Sequence, residues 1–208
     1  MQVIIFSWEY PPRIVGQLAD YVEQLAVQLL KSNEKTWVVT YHDFLTGEYE
    51  GTGGVKTVRV TNPVHTHIGV LTWVLTLNQE VERVAANIYY DAGKQIDLID
   101  VHEWHFIPAA VTLKKALDIP YVYSVESLEE HRSHGAKSPF NMSIESIERL
   151  GMYEAGKVLT KSEWMRDEII RSHKVPEDRI RVVSPTSASW LKEILETYKN
   201  VAEGRTQR

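Results

Sequence analysis

A chain of 208 residues with 43% hydrophobic and 25% charged side chains has the composition of one globular domain, which excludes wholesale disorder, collagen-like repeats and a coiled coil. Its 28 acidic residues outnumber 23 basic ones, for a net charge of -5, and no run of Lys or Arg marks a nucleic-acid footprint. Cysteine is absent, so disulfide staples, thiolate zinc sites and cysteine nucleophiles are excluded. The longest apolar stretches, such as Val70 to Leu77, are too short to cross a bilayer, and Met1 to Phe6 lacks the features of a signal peptide. The expectation is a cytoplasmic protein that meets neither membrane nor nucleic acid.

Apolar bursts alternate with helical periods along the chain. Val3 to Phe6 reads as a strand buried on both faces. After the breaker Glu9-Tyr10-Pro11-Pro12, Leu18, Val22, Leu25, Ala26 and Leu29 fall on one helical stripe. Trp37 to Tyr41 reads as a second strand. Gly47 to Asn62, with its glycines and the alternation of Val55 to Val60, reads as a half-solvated strand in a hairpin. A long helix is predicted from about Gly69 to Asp91, a strand over Ile96 to Val101, a helix over Ile107 to Leu117 and a strand over Tyr121 to Val125. Glu129 to Ser138 reads as a solvated polar loop leading to a helix from Asn141 to Ala155. The rhythm then repeats: strand Lys157 to Thr160, helix Glu163 to His173, strand Ile180 to Val183, helix 187–202, and a polar tail 203–208. Strand-helix alternation predicts one α/β domain over 1–208: a doubly wound, mostly parallel Rossmann-like sheet with helices on both faces. Such sheets bind ligands at the carboxyl ends of their strands.

Five loops fall at those ends. In the first, Ser7 to Leu18, Gly16 opens a helix whose free N–H groups suit an anion, and Arg13 suits a phosphate; the plain alternative is a stiff connector with a solvated Arg. No G-x-G-x-x-G or Walker A motif supports a dinucleotide or P-loop site. The second, Asp100 to His105, gathers His102, Glu103 and His105 without metalloprotease spacing. Neighbouring strand residues face opposite ways, so His102 and Glu103 share a ligand only if the chain turns between them. A structural His beside a capping acid is the simpler reading. The third carries Glu126, a candidate base or hydroxyl acceptor. The fourth and fifth, Lys161-Ser162-Glu163 and Ser184 to Ser187, read as helix N-caps. His65 and His67, or His131 and His134, are too sparse for a metal site, and no cofactor or metal is expected.

Together these segments resemble the N-terminal, acceptor-side domain of GT-B retaining glycosyltransferases close to glycogen and starch synthases. The resemblance rests on Ser7 to Gly16 (SWEYPPRIVG), Asp97 to Pro108 (DLIDVHEWHFIP) and Arg179 to Ser184, with Leu113 to Pro120 and Lys161 to Arg166 between them. It implies one half of a GT-B fold, with the nucleotide-sugar gripped by a second Rossmann-like domain whose motifs have no counterpart here. It further implies His102 and Glu126 as catalytic positions, and Arg13, Gly16, Gln17, Glu103, Trp104 and Ser162 as substrate-binding ones. The sequence departs from the family at several of these. Gln17 replaces the second glycine, Ile14 stands where glycogen synthases have Lys, Glu126 replaces the His that closes the fifth strand, and Pro185 to Ala188 replaces an Asn-Gly-Ile/Val-Asp run.

Two functions follow as expectations. One is glucosyl transfer from a nucleotide-sugar to a glucan, performed only with a separate donor-binding half. The other is a stand-alone sugar- or glucan-binding or regulatory protein. The stripe Trp190, Leu191, Ile194, Leu195 and Tyr198 suits a lid over the exposed cleft wall, a homodimer contact, or simply a last core helix.

Overall fold

The computed structural model describes residues 1–204, so residues 205–208 of the expected tail lie outside the described residues, while Glu203 belongs to the last helix. In chain order the elements are β1 (Gln2–Ser7), α1 (Gln17–Lys31), β2 (Lys35–Tyr41), β3 (Gly47–Glu50), β4 (Lys56–Val60), α2 (Val70–Asp91), β5 (Leu98–His102), α3 (Ile107–Leu117), β6 (Tyr121–Val125), α4 (Glu129–Arg132), α5 (Pro139–Glu154), β7 (Lys157–Thr160), α6 (Glu163–His173), β8 (Ile180–Val182) and α7 (Trp190–Glu203).

The strands form one sheet in the order β3-β4-β2-β1-β5-β6-β7-β8. Every pairing is parallel except β3 with β4, the hairpin that the glycine-rich stretch predicts. Its turn needs positive φ at Gly53 (68°) and Gly54 (86°), which a Cβ disfavours.

The unbroken apolar run of β1 follows from burial on both sides. Ile4 and Phe6 join the layer under α2, α3, α5 and α6, while Val3 and Ile5 join the layer under α1 and α7. Each such side chain, taken fully from water, stabilises the fold by roughly 1.5–3 kcal/mol. The α7 stripe is spent in the second layer. Ile194 and Tyr198 are buried there, with Trp190, Leu191 and Leu195 packed against it, so α7 is a last core helix of this same domain.

Two local readings change. The predicted loop at Glu129 begins instead with α4, in which Glu129 is buried, because Arg132 ties this turn to carboxylates on other elements. The Ser184–Ser187 hydroxyls do not cap α7: Ser184 bonds Thr186, Ser187 bonds Ser189, and the helix starts at Trp190. Ser162 does cap α6, accepting from Met165 N at 3.2 Å. Among the described residues no helix is long and apolar enough to cross a membrane.

Candidate functional site in the crevice between β1 and β5

The chain leaves β1 toward β2 on one side, and β5 lies on the other, so the topological switch point opens between the loops after β1 and β5. The side chains gathered around it fall into three groups.

The first is aromatic. Trp8 stacks on His105 (centroids 4.2 Å apart) and on Tyr41 (5.3 Å), and Trp73 meets Trp8 and Tyr41 edge-on at 5.0 and 4.7 Å. The Arg13 guanidinium lies 4.7 Å from the Trp8 ring and 4.9 Å from Tyr41, with Nε 3.2 Å from Asp43 and Nη1 donating to Trp8 O at 3.0 Å. Arg13 is therefore clamped rather than freely solvated. Burial, helped by the nearby Arg132 and Arg13, pulls the His105 pKa down to about 3, so this ring is neutral.

Beside this group the N–H groups of Val15 and Gly16, just before α1, are already answered. Glu9 is buried, and its Oε2 accepts from Val15 N and Gly16 N, both at 2.6 Å. The chain's own carboxylate thus occupies the approach to this helix start, on the two residues that precede it. Gly16 has extended backbone (φ -150°), and a Cβ there would meet Glu9 only at an ordinary 3.5 Å. Gln17 is exposed in the first turn.

The second group is a line of charges on the α1/α7 side of the sheet. His102 is buried, its Nε2 is 3.0 Å from Asp100 Oδ2, and its Nδ1 is 3.9 Å from Glu126 Oε1. Glu126 Oε2 is 2.6 Å from Lys161 Nζ, which sits 3.5 Å above the Tyr21 ring. Burial opposes charge on His102, but Asp100 and then Glu126 outweigh it and lift the pKa to about 9. Burial likewise pushes Glu126 up, yet His102 and Lys161 together hold it below its ordinary value. His102 and Glu126 are thus each favoured in the charged form.

The third group surrounds Glu103. The chain does turn after His102: Glu103 has φ 67°, ψ 168°, a conformation costing on the order of 1–3 kcal/mol for a residue with a Cβ. The turn aims its carboxylate back into the protein. Oε1 accepts from Glu126 N (2.9 Å) and Ser127 N (2.8 Å), and Oε2 faces Ser127 Oγ and Arg132. Arg132 also reaches Glu129 at 3.2 Å and the fully buried Glu148 at 2.6 Å. Burial raises Glu103 first; Arg132 pulls it down only in part, and Glu126 pushes further, leaving it at about 7.

Of the residues picked from sequence, His102 and Glu126 come together, and Arg13, Gly16 and Gln17 lie on the facing loop. Glu103 is tied into the loop after β6. Trp104 is only 4% exposed and packs with Val74 and Ile144, so its ring faces the interior. Ser162 is exposed beside Lys161 as a helix cap. His102 and His105 point into different groups, and among the described residues no three His, Asp or Glu side chains are placed to hold a metal ion. Sequence reasoning missed Glu9, Asp100, Lys161 and Arg132. Asp100 was legible, since an acid two residues before His102 in a buried strand must share its face.

The sequence model for Glycosyltransferase Family 4 matches residues 18–186. A Methanocaldococcus jannaschii protein named "Uncharacterized glycosyltransferase MJ1607" is 35% identical over 192 residues, covering 91% of this chain and 47% of that protein. A glycogen synthase of Mycobacterium tuberculosis is 23% identical over 182 residues, covering 81% of this chain and 44% of the relative. The chain therefore spans about half the length of the curated relatives it matches. Among solved structures, sucrose-phosphate synthase from Thermosynechococcus elongatus superposes with a TM-score of 0.68 at 18% identity, over 88% of this chain and 47% of that one. The catalytic domain of starch synthase IV from Arabidopsis thaliana, bound to ADP and acarbose, gives 0.54 at 14% identity over 96% and 50%. These similarities show the fold, half of a GT-B architecture. A family match across most of the chain, joined to a relative this similar over nine-tenths of it, places the protein in Glycosyltransferase Family 4.

Proposed function

We propose that this domain is the acceptor-side half of a retaining glucosyltransferase, which moves a glucosyl unit from a nucleotide-sugar to a glucan once a donor-binding half faces it across the crevice. The observation that carries this reading is that the cations at the strand ends are committed. Arg13 lies on Asp43, Lys161 on Glu126, and Arg132 on three carboxylates. Expelling a nucleoside diphosphate requires positive charge or donors aimed at the leaving group. On this reading a facing lobe brings them, while this side offers the aromatic cluster and the Glu126 acceptor. Exposed apolar side chains at the same end, Ile14, Val15, Phe44 (90%) and Ile68 (97%), suit burial against such a lobe. The reaction would run in the cytoplasm, where nucleotide-sugars are made.

The test is transfer of labelled glucose from UDP- or ADP-glucose to glycogen. The domain alone should give none, and the domain joined to a donor-binding half should give product with retained anomeric configuration. Transfer by the domain alone defeats this division of labour. A second reading, a non-catalytic glucan binder, is favoured by Glu126, which stands where the family has His and is held in an ion pair. It predicts retardation in glucan-affinity electrophoresis, weakened by Trp8→Ala, with no transfer in any combination.

A further inference from the structure

Leu98, Asp100 and His102 alternate onto the face of β5 that α1 and α7 cover, so two ionisable side chains sit in a layer otherwise built from residues such as Val3, Ile5, Val122 and Leu159. A buried carboxylate is tolerated only when its lone pairs are answered. Those of Asp100 are answered from three elements. Oδ1 accepts from the Ser124 hydroxyl of β6 at 2.8 Å, and Oδ2 accepts from His102 Nε2–H at 3.0 Å and from the Tyr198 phenol of α7. Burial would raise Asp100, but His102 first, then the bonds from Tyr198 and Ser124, keep it below its ordinary value. The Tyr198 phenol is pushed well above 10 by burial and by Asp100, so it remains a donor.

The other ring nitrogen decides the charge of His102. With Nε2–H donating to Asp100, a neutral ring would turn the Nδ1 lone pair toward the Glu126 carboxylate 3.9 Å away, anion against lone pair. Nδ1 is buried with no hydrogen-bond partner of its own. A proton there converts that repulsion into attraction. The groups facing the ring are Asp100 on its own strand, Glu126 just after β6, and Tyr21 of α1, whose ring meets it edge-on at 5.9 Å; behind them Ser124 of β6 and Tyr198 of α7 bond Asp100, and Lys161 after β7 pairs with Glu126.

We propose that Asp100 and Tyr198 are positioning residues of this site: the phenol from α7 fixes the Asp100 carboxylate, and Asp100 fixes His102 as an imidazolium whose Nδ1–H is turned to Glu126. Glu126 is then clamped between two cations, His102 and Lys161. Its carboxylate, 20% exposed at the carboxyl end of β6, becomes a constant acceptor for hydroxyl groups. Naming those hydroxyls as sugar hydroxyls rests on the acceptor-side reading; the charge of the ring does not.

The test is nitrogen-15 NMR of the His102 imidazole in the domain alone, so it is independent of transfer activity. The expected result is a ring protonated at both nitrogens at neutral pH and titrating near 9. Asp100→Asn should lower that titration by two units or more. Tyr198→Phe should keep the amide spectrum of the folded domain and raise the pH at which the Asp100 carboxyl carbon titrates. Should Asp100→Asn prevent folding, Glu126→Gln at the partly exposed end of the line should still lower the His102 titration. A wild-type ring titrating at or below 6.5 overturns the proposal. So does a ring indifferent to the substitutions at Asp100 and Glu126, or an Asp100 indifferent to Tyr198→Phe. Failed glucosyl transfer with a donor-binding half would count against the functional reading alone.

Discussion

The two charged clusters beside the crevice are built from similar side chains and behave differently. Along Asp100, His102, Glu126 and Lys161 the signs alternate, each ion lies next to its opposite, and Asp100, His102 and Glu126 are each favoured as ions. Around Arg132, three carboxylates from Glu103, Glu129 and Glu148 share one guanidinium, and burial, offset only in part by Arg132 and reinforced by Glu126, pushes Glu103 to about 7. Burial is comparable in both, so the sequence of signs, more than depth, decides which ions survive.

The largest effect that would break this contrast is loss of the single cation. Arg132→Met should lower stability at pH 7 by about 3–5 kcal/mol, because it strands buried carboxylates. Urea denaturation should show part of the loss recovered at pH 5, where Glu103 takes up a proton. Equal loss at both pH values would mean that packing of the Arg132 stem matters more than its charge.

Next comes the alternating line. His102 has its folded-state pKa raised from 6.5 to about 9, so its contribution is fully present below pH 6.5 and lost as the pH rises through 9. The size is on the order of 3 kcal/mol. Glu103, raised to about 7, acts earlier: it removes stability as the pH climbs from 4.5 to 7. Unfolding free energies between pH 4.5 and 10 should thus fall in two windows. His102→Gln should abolish the upper one alone.

Removing the outer cation should matter less, since Glu126 keeps His102. Lys161→Met should cost about 1–2 kcal/mol, between exposed and buried pairs, with a reduced effect in 0.5 M salt. Ser162→Ala, next to it but outside the charge line, should cost about 1 kcal/mol through the lost α6 cap, and that loss should be insensitive to salt. If the two substitutions respond alike to salt, Lys161 is not acting as a charge.

Much of this was legible along the chain. The apolar run of β1, the stripe of α1 and the hairpin glycines each carry their own signal, because burial on two faces, burial on one stripe and positive φ restrict residue type locally. That His102 and Glu126 lie at the same end of the sheet was legible as well, through the rule that ligands gather at strand ends, although their pairing was not. Arg132 was not. Its partners lie 3, 16 and 29 residues away, and nothing in Glu-Glu-His-Arg distinguishes a solvated turn from one that three elements close upon. Trp104 illustrates the reverse: the motif offers it as a ligand contact, while the 3-10 turn after Glu103 drives its ring among Val74 and Ile144.

Periodicity, composition and strand-end loops therefore determined the α/β class, the mostly parallel sheet and the set of candidate loops, since those depend on how each segment meets water. The tertiary structure alone decided which ions face one another. A carboxylate at Asp100 and a phenol 98 residues later acquire their properties only when α7 lies across β5 and excludes solvent from both. Electrostatic energies depend on distance through space and on local dielectric, and neither is written in the order of residues.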